Sequence, residues 1–154
     1  MSETPENRLA ALGINLPVPA VPVANYVSWV RSGNLITVSG QLPLRDGKLV
    51  ATGKLGGSVD EETGALAARF CMINLIAQIK AAVGDLGKVT KVVRLGGFIA
   101  CEPSFTKHSS VMHSSSDLSV AFFGDAGRHA RSPVRLPSLP LYAAFPFVGL
   151  FEFL

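Results

Sequence analysis

Charge is scarce in this chain: 16% of its 154 residues are Asp, Glu, Lys or Arg, against 48% apolar residues. Such a balance leaves too few charges to keep the whole surface of a monomer wet, so part of the apolar surface is expected to be buried between subunits. Cysteine is scarce too. Cys71 and Cys101 show neither Cys-x-x-Cys spacing nor a preceding secretory leader, which predicts a cytoplasmic protein with reduced packing thiols and Cys71 in its core. The apolar C-terminal part is broken by Pro137, Pro140 and Pro146 and has no run near the ~18 residues of a membrane helix, so no membrane span is expected. The 14 Lys and Arg exceed the 11 Asp and Glu by three, but the basic residues are scattered singly and do not interleave with aromatics. That pattern gives little support to a nucleic-acid partner.

Several mechanical motifs are also missing. There is no Gly-x-Gly-x-x-Gly, no Walker sequence, no His-Glu-x-x-His and no Gly-x-Ser-x-Gly, so the common nucleotide, zinc and serine-hydrolase readings lack their parts. His108, His113 and His129 have no carboxylate or thiol at a supporting spacing. They are read as solvated or helix-end residues, with no metal expected.

What is present is a regular alternation of strand and helix signals on one expected domain, residues 1–154, whose residues 1–22 form an N-terminal extension. Thr4-Pro5 supplies an N-cap and a first helical residue, and Gly13 a C-cap, for a short helix. Alternating prolines hold 16–22 extended and lead into a first strand near Tyr26 to Val30. A hairpin through 31–34 joins it to the branched run Leu35 to Ser39, and Asp46-Gly47 marks a second tight turn. Ser58-Val59-Asp60-Glu61 reads as a capping box opening a helix from Val59 to Val83, closed by Gly84. Its apolar stripe, through Leu66, Phe70, Ile73 and Ala77 and widened by Met72, Ile76 and Ile79, is broad enough to lie across a sheet. Val89 to Ala100 reads as a central strand, with Gly96-Gly97 as a bulge or close approach, followed by a helix over 114–123. Arg131 to Leu136 and Leu141 to Phe153 are expected as two paired strands joined across Ser138-Leu139-Pro140. The order predicts an α+β fold: a mixed, mostly antiparallel sheet with two helices packed on one face.

Two segments point to a site. Ser39-Gly40-Gln41 closes a strand with a hydroxyl beside a residue whose missing side chain admits a ligand to the backbone. Arg131 delivers a guanidinium from the start of another strand, and that planar group holds a carboxylate through two parallel hydrogen bonds. Together they suggest a small anion-binding cleft, although on spacing alone a turn serine and a surface ion pair are the plainer roles.

The order Tyr26, Gly33-Asn34-Leu35, Ser39-Gly40-Gln41-Leu42-Pro43, the long helix, Val92-Val93-Arg94, Gly127-Arg128-His129-Ala130-Arg131-Ser132 and Leu139-Pro140 resembles the RidA (YjgF) family. It is most similar to the branch with a longer N-terminal segment, labelled endoribonuclease L-PSP. The resemblance covers residues 9–141. It implies a chorismate-mutase-like fold, a homotrimer with clefts between subunits, and no metal or organic cofactor. It also implies an activity, the hydrolysis of reactive enamines and imines of the 2-aminoacrylate type to 2-oxo acids and ammonia. In that chemistry an arginine holds the carboxylate and a glutamate positions the attacking water. Carried over by position, Arg131 is the carboxylate clamp, Tyr26 and Ser39 line the pocket, and Gly40 lets the backbone come close. Ser116 stands where active members have asparagine, and Pro133 where they have cysteine.

One departure matters. The water-positioning glutamate aligns with Pro146, in Phe145-Pro146-Phe147-Val148. Glu152 is no substitute, because six residues of strand place it roughly 20 Å away. The catalytic residues are therefore left unassigned. The resulting expectation is a deaminase weakened on the order of 10²- to 10⁴-fold, with a non-catalytic trimer binding small carboxylate metabolites as the alternative. A ribonuclease, the third reading, requires a basic groove and an acid–base pair that the sequence does not display.

Overall fold

The computed structural model describes residues 3–22 and 24–154. The first helix, α1 (Pro5–Ala11), starts at Thr4, whose hydroxyl accepts from the Asn7 amide. The chain then runs without regular structure to residue 22, pinned where Gln78 donates to the Ala20 carbonyl at 2.9 Å. The next element is β1 (Trp29–Ser32), later than the expected strand, so Tyr26 precedes the sheet. Gly33-Asn34 turns β1 into β2 (Leu35–Gln41), and Asp46-Gly47 joins a small hairpin of β3 (Leu44–Arg45) and β4 (Lys48–Leu49).

Helix α2 (Glu61–Val83) is capped by Asp60, whose carboxylate accepts from the Thr63 amide at 2.7 Å. The expected capping box at Ser58 is not formed, because the chain enters the helix two residues later, where the Asp60 carboxylate takes the orphan Thr63 amide. By length and composition alone α2 could cross a bilayer, but its buried residues pack on the sheet as the core helix of the fold. After it come β5 (Val89–Ala100), α3 (His108–Phe123), β6 (Ala130–Leu136) and β7 (Phe147–Phe153). Helix α3 begins six residues before the expected start at Ser114.

The sheet order is β1-β2-β7-β5-β6. All neighbours are antiparallel except β5 and β6, which run parallel across the α3 crossover. The expected pairing of the last two strands is thus overturned: β7 inserts between β2 and β5, while β6 takes the edge. From β6 at the edge the chain returns through a turn at Pro140–Tyr142 to the centre. Pro146 consequently precedes β7 rather than interrupting it. Its carbonyl accepts from the Phe98 amide at 2.9 Å, and without an amide proton it cannot return that bond.

The core lies between this sheet and α2 with α3. Phe147, Phe151 and Phe153 alternate inward along β7, and Ile36, Val38 and Leu95 join them. Gly96 and Gly97 are points of close approach: an added β-carbon would meet Val148 at 2.8 Å and Phe147 at 2.8 Å, respectively. The register of β2 against β7 shifts between Val38 and Gln41, so Ser39-Gly40 forms a bulge opposite Val148.

Candidate active site

The site is assembled on α3. Ser114 and Ser115 donate to the Ala65 and Ala68 carbonyls of α2 at 2.7 and 2.8 Å, which fixes the rotation of α3. Ser116 is the next residue and turns away from that contact towards β6. Past the end of α3 the chain folds back through Gly124–Gly127. Gly127 presses on the helix so closely that any side chain would collide with the Ser119 backbone, and its carbonyl accepts from Ser119 Oγ at 2.9 Å.

That contact delivers His129 and Arg131 to Ser116. Arg131 Nη1 lies 3.1 Å from Ser116 Oγ, and Ser116 Oγ lies 2.9 Å from His129 Nε2. His129 Nδ1 is 2.7 Å from the Gly127 carbonyl. A carbonyl only accepts, so Nδ1 carries the proton and Nε2 of the neutral ring is an acceptor. Ser116 therefore donates its hydrogen to His129 and accepts from Arg131, an order set by the hydrogen-bond partners. The three side chains, with Asp117, Val120 and Arg128, line a depression of about 270 Å³ open to solvent. Among the described residues, Arg131 takes part in no ion pair and forms one side-chain hydrogen bond, so most of its donors remain for a ligand.

The other expected site residues lie elsewhere in the chain. Tyr26 is exposed before β1, Ser39 donates to the Val27 carbonyl at 2.7 Å, and Gly40 sits in the β2 bulge. Two strands, β7 and β5, separate β2 from β6, a spacing of roughly 14 Å. One subunit thus brings Arg131 to Ser116 but not to Tyr26, Ser39 and Gly40. Pro146 is buried, and Glu152 is engaged by Thr90 Oγ1 at 2.8 Å. Neither offers a carboxylate to the pocket.

His129, whose place in the site or at a subunit contact the sequence left open, lies against Ser116 in the structure. The available signal was its separation of two from Arg131 at a strand start, which puts both side chains on one face. The histidines are not gathered: His113 is exposed on α3, and His108 Nε2 lies 3.5 Å from Cys101 Sγ. Burial pushes the Cys101 thiol up and the Cys71 thiol up much further. A larger groove of about 380 Å³ runs between the N-terminal segment and α2. Its Arg45 already covers the Phe70 ring and its Asn74 donates to the Leu42 and Leu44 carbonyls, as in a packing seam.

Comparison with known proteins bears on this geometry. A family model described as "YjgF/chorismate mutase-like, putative endoribonuclease" matches residues 6–154. Protein TCP17 of Trypanosoma cruzi is 45% identical over 157 residues, covering 99% of this chain and 98% of that protein. A crystal structure from Agrobacterium tumefaciens, of a protein of unknown function, is 43% identical with a TM-score of 0.91, over 97% of this chain and 92% of that one. Another, from Shewanella oneidensis MR-1 and carrying the endoribonuclease label, is 35% identical with a TM-score of 0.95, over 97% and 99% of the two chains.

Proposed function

The chain belongs to the YjgF/chorismate-mutase-like family, and from that premise we propose that it hydrolyses small enamines and imines bearing a carboxylate, of the 2-aminoacrylate type, to 2-oxo acids and ammonia. The observation that carries the reading is Arg131, a guanidinium without a carboxylate partner among the described residues, aimed into an open pocket beside a hydroxyl. A substrate carboxylate taken by two of its N–H groups would place the adjacent C=N carbon over Ser116. The fold accommodates ligands of this size, since TdcF of E. coli was crystallised with bound serine.

A cytoplasmic homotrimer is part of the proposal. Tyr26, Ser39 and Gly40 lie on the side of the sheet away from Arg131, so they meet a substrate held by Arg131 only if a neighbouring subunit supplies them. Apolar side chains left in water, including Val30, Val134 and Tyr142 at 51%, 42% and 77% exposure, give such a neighbour a surface to cover.

The second reading, carboxylate binding without turnover, is favoured by buried Pro146 in place of the water-positioning glutamate. One experiment separates the two: ammonia release from 2-aminoacrylate generated in situ by a pyridoxal-phosphate lyase. Acceleration by wild type that is lost in Arg131→Ala supports the hydrolase. Binding of pyruvate by calorimetry without acceleration supports the binding protein.

A further inference from the structure

We infer that Ser116 and His129 form a proton relay that supplies the base absent at position 146, with Ser116 touching the attacking water and His129 acting through Ser116 as a positioning residue. The inference rests on the hydrolytic reading above. The Gly127 carbonyl holds His129 Nδ1–H at 2.7 Å, so the Nε2 lone pair is fixed on Ser116 Oγ at 2.9 Å. That carbonyl is itself fixed, because Ser119 Oγ donates to it at 2.9 Å and Gly127 sits hard against α3. The imidazole therefore cannot turn its base away without breaking a bond at each nitrogen.

Ser116 Oγ has two lone pairs, and Arg131 Nη1 uses one of them at 3.1 Å. The other is open to a water in the same depression. Of the five guanidinium N–H groups one is engaged by Ser116, so four remain, and two of them can take a substrate carboxylate without dismantling the relay. The charged groups facing the imidazole are Arg131 from β6, Arg128 from the preceding loop and Asp117 from α3.

Water oxygen bonds to the carbon of the protonated C=N group, whose π electrons pass to nitrogen. A water proton moves to Ser116 Oγ as the serine proton moves to His129 Nε2. The reverse transfer then protonates the amine of the carbinolamine. The C–N bond breaks with its electrons on the departing ammonia, and the remaining hydroxyl gives its proton to that ammonia, leaving ammonium, as the C=O bond of the 2-oxo acid forms. No oxidant or reductant is needed.

The test is the pH profile of kcat for 2-aminoacrylate hydrolysis, above the rate in buffer, for wild type, His129→Gln and Ser116→Ala. The relay predicts a wild-type acid limb, the rate falling where the base of the relay is protonated. In His129→Gln, kcat falls by about 10²- to 10⁴-fold, KM stays within a few-fold, the limb disappears, and added imidazole restores part of the rate. Ser116→Ala, which keeps the His129 bond to Gly127, loses the same limb and covers the case in which His129→Gln does not fold. An active wild type whose limb persists in either folded variant overturns the relay alone. A wild type with no acceleration overturns the hydrolytic reading and the relay together.

Discussion

Gly127 and Val120 meet backbone to backbone: a β-carbon on Gly127 would lie 3.0 Å from Val120 Cα, and nearer still to the Ser119 carbonyl. This contact holds the returning chain against α3, and its carbonyl then takes hydrogen bonds from both Ser119 and His129. The position of the site thus depends on one residue that has no side chain.

Gly127→Ala is expected to cost about 1 to 3 kcal/mol, the range for overpacking against a fixed wall. Urea unfolding measures the loss of stability. Below the transition the folded variant should also hydrolyse 2-aminoacrylate more slowly, since His129 and Arg131 move with the displaced strand start.

Glu6 ties α1 to the rest of the fold, with Oε1 accepting from Lys80 Nζ at 2.7 Å and from the Leu86 amide at 2.8 Å. Burial alone would raise this carboxyl, but the hydrogen bonds from Lys80 and Leu86 outweigh it and hold it below its ordinary value of 4.5. A carboxyl lowered on folding stabilises above its unfolded value, and that contribution is lost as pH falls through the folded value. Glu6→Gln should therefore cost about 0.5 to 1 kcal/mol at pH 7 for this partly exposed pair. The gap to wild type should close as thermal melts are repeated below pH 4.5.

Cys71 is fully buried with its thiol 2.6 Å from the Phe145 carbonyl, and Cys101 is 3% exposed. Burial raises both thiols, so little thiolate is available for attack. Iodoacetamide at pH 7.5 should label neither in the native protein and both after denaturation, as read by intact mass. Rapid native labelling of Cys101 would show that its cover opens.

Much of the framework was legible because local chemistry decided it. Thr4-Pro5, Asp46-Gly47 and Gly84 each require one backbone conformation, and the structure places a cap or turn at all three. Gly96-Gly97 was recognisable as a close approach. The insertion of β7 between β2 and β5 was not legible, since strand order is set by long-range packing, with Phe147 and Phe151 filling the core beneath α2. Ser58 failed as a cap because the helix starts two residues later, so Asp60 occupies the capping position and takes the Thr63 amide. In the site, Arg131 stood out by its own chemistry and Ser116 came from the family resemblance, and the structure joins them directly. The place of His129 stayed open in the sequence because it depends on the Gly127 contact with α3, which no spacing in the chain displays.

The most direct measurement of the central claim compares kcat/KM for 2-aminoacrylate with that for its uncharged carboxamide analogue, in wild type and Arg131→Ala at matched folded concentration. If the guanidinium holds the substrate carboxylate, wild type favours the acid by about 10- to 100-fold, the worth of a hydrogen-bonded charge pair, and Arg131→Ala loses that preference. Equal rates on acid and amide in wild type, or a preference that survives in Arg131→Ala, would contradict it.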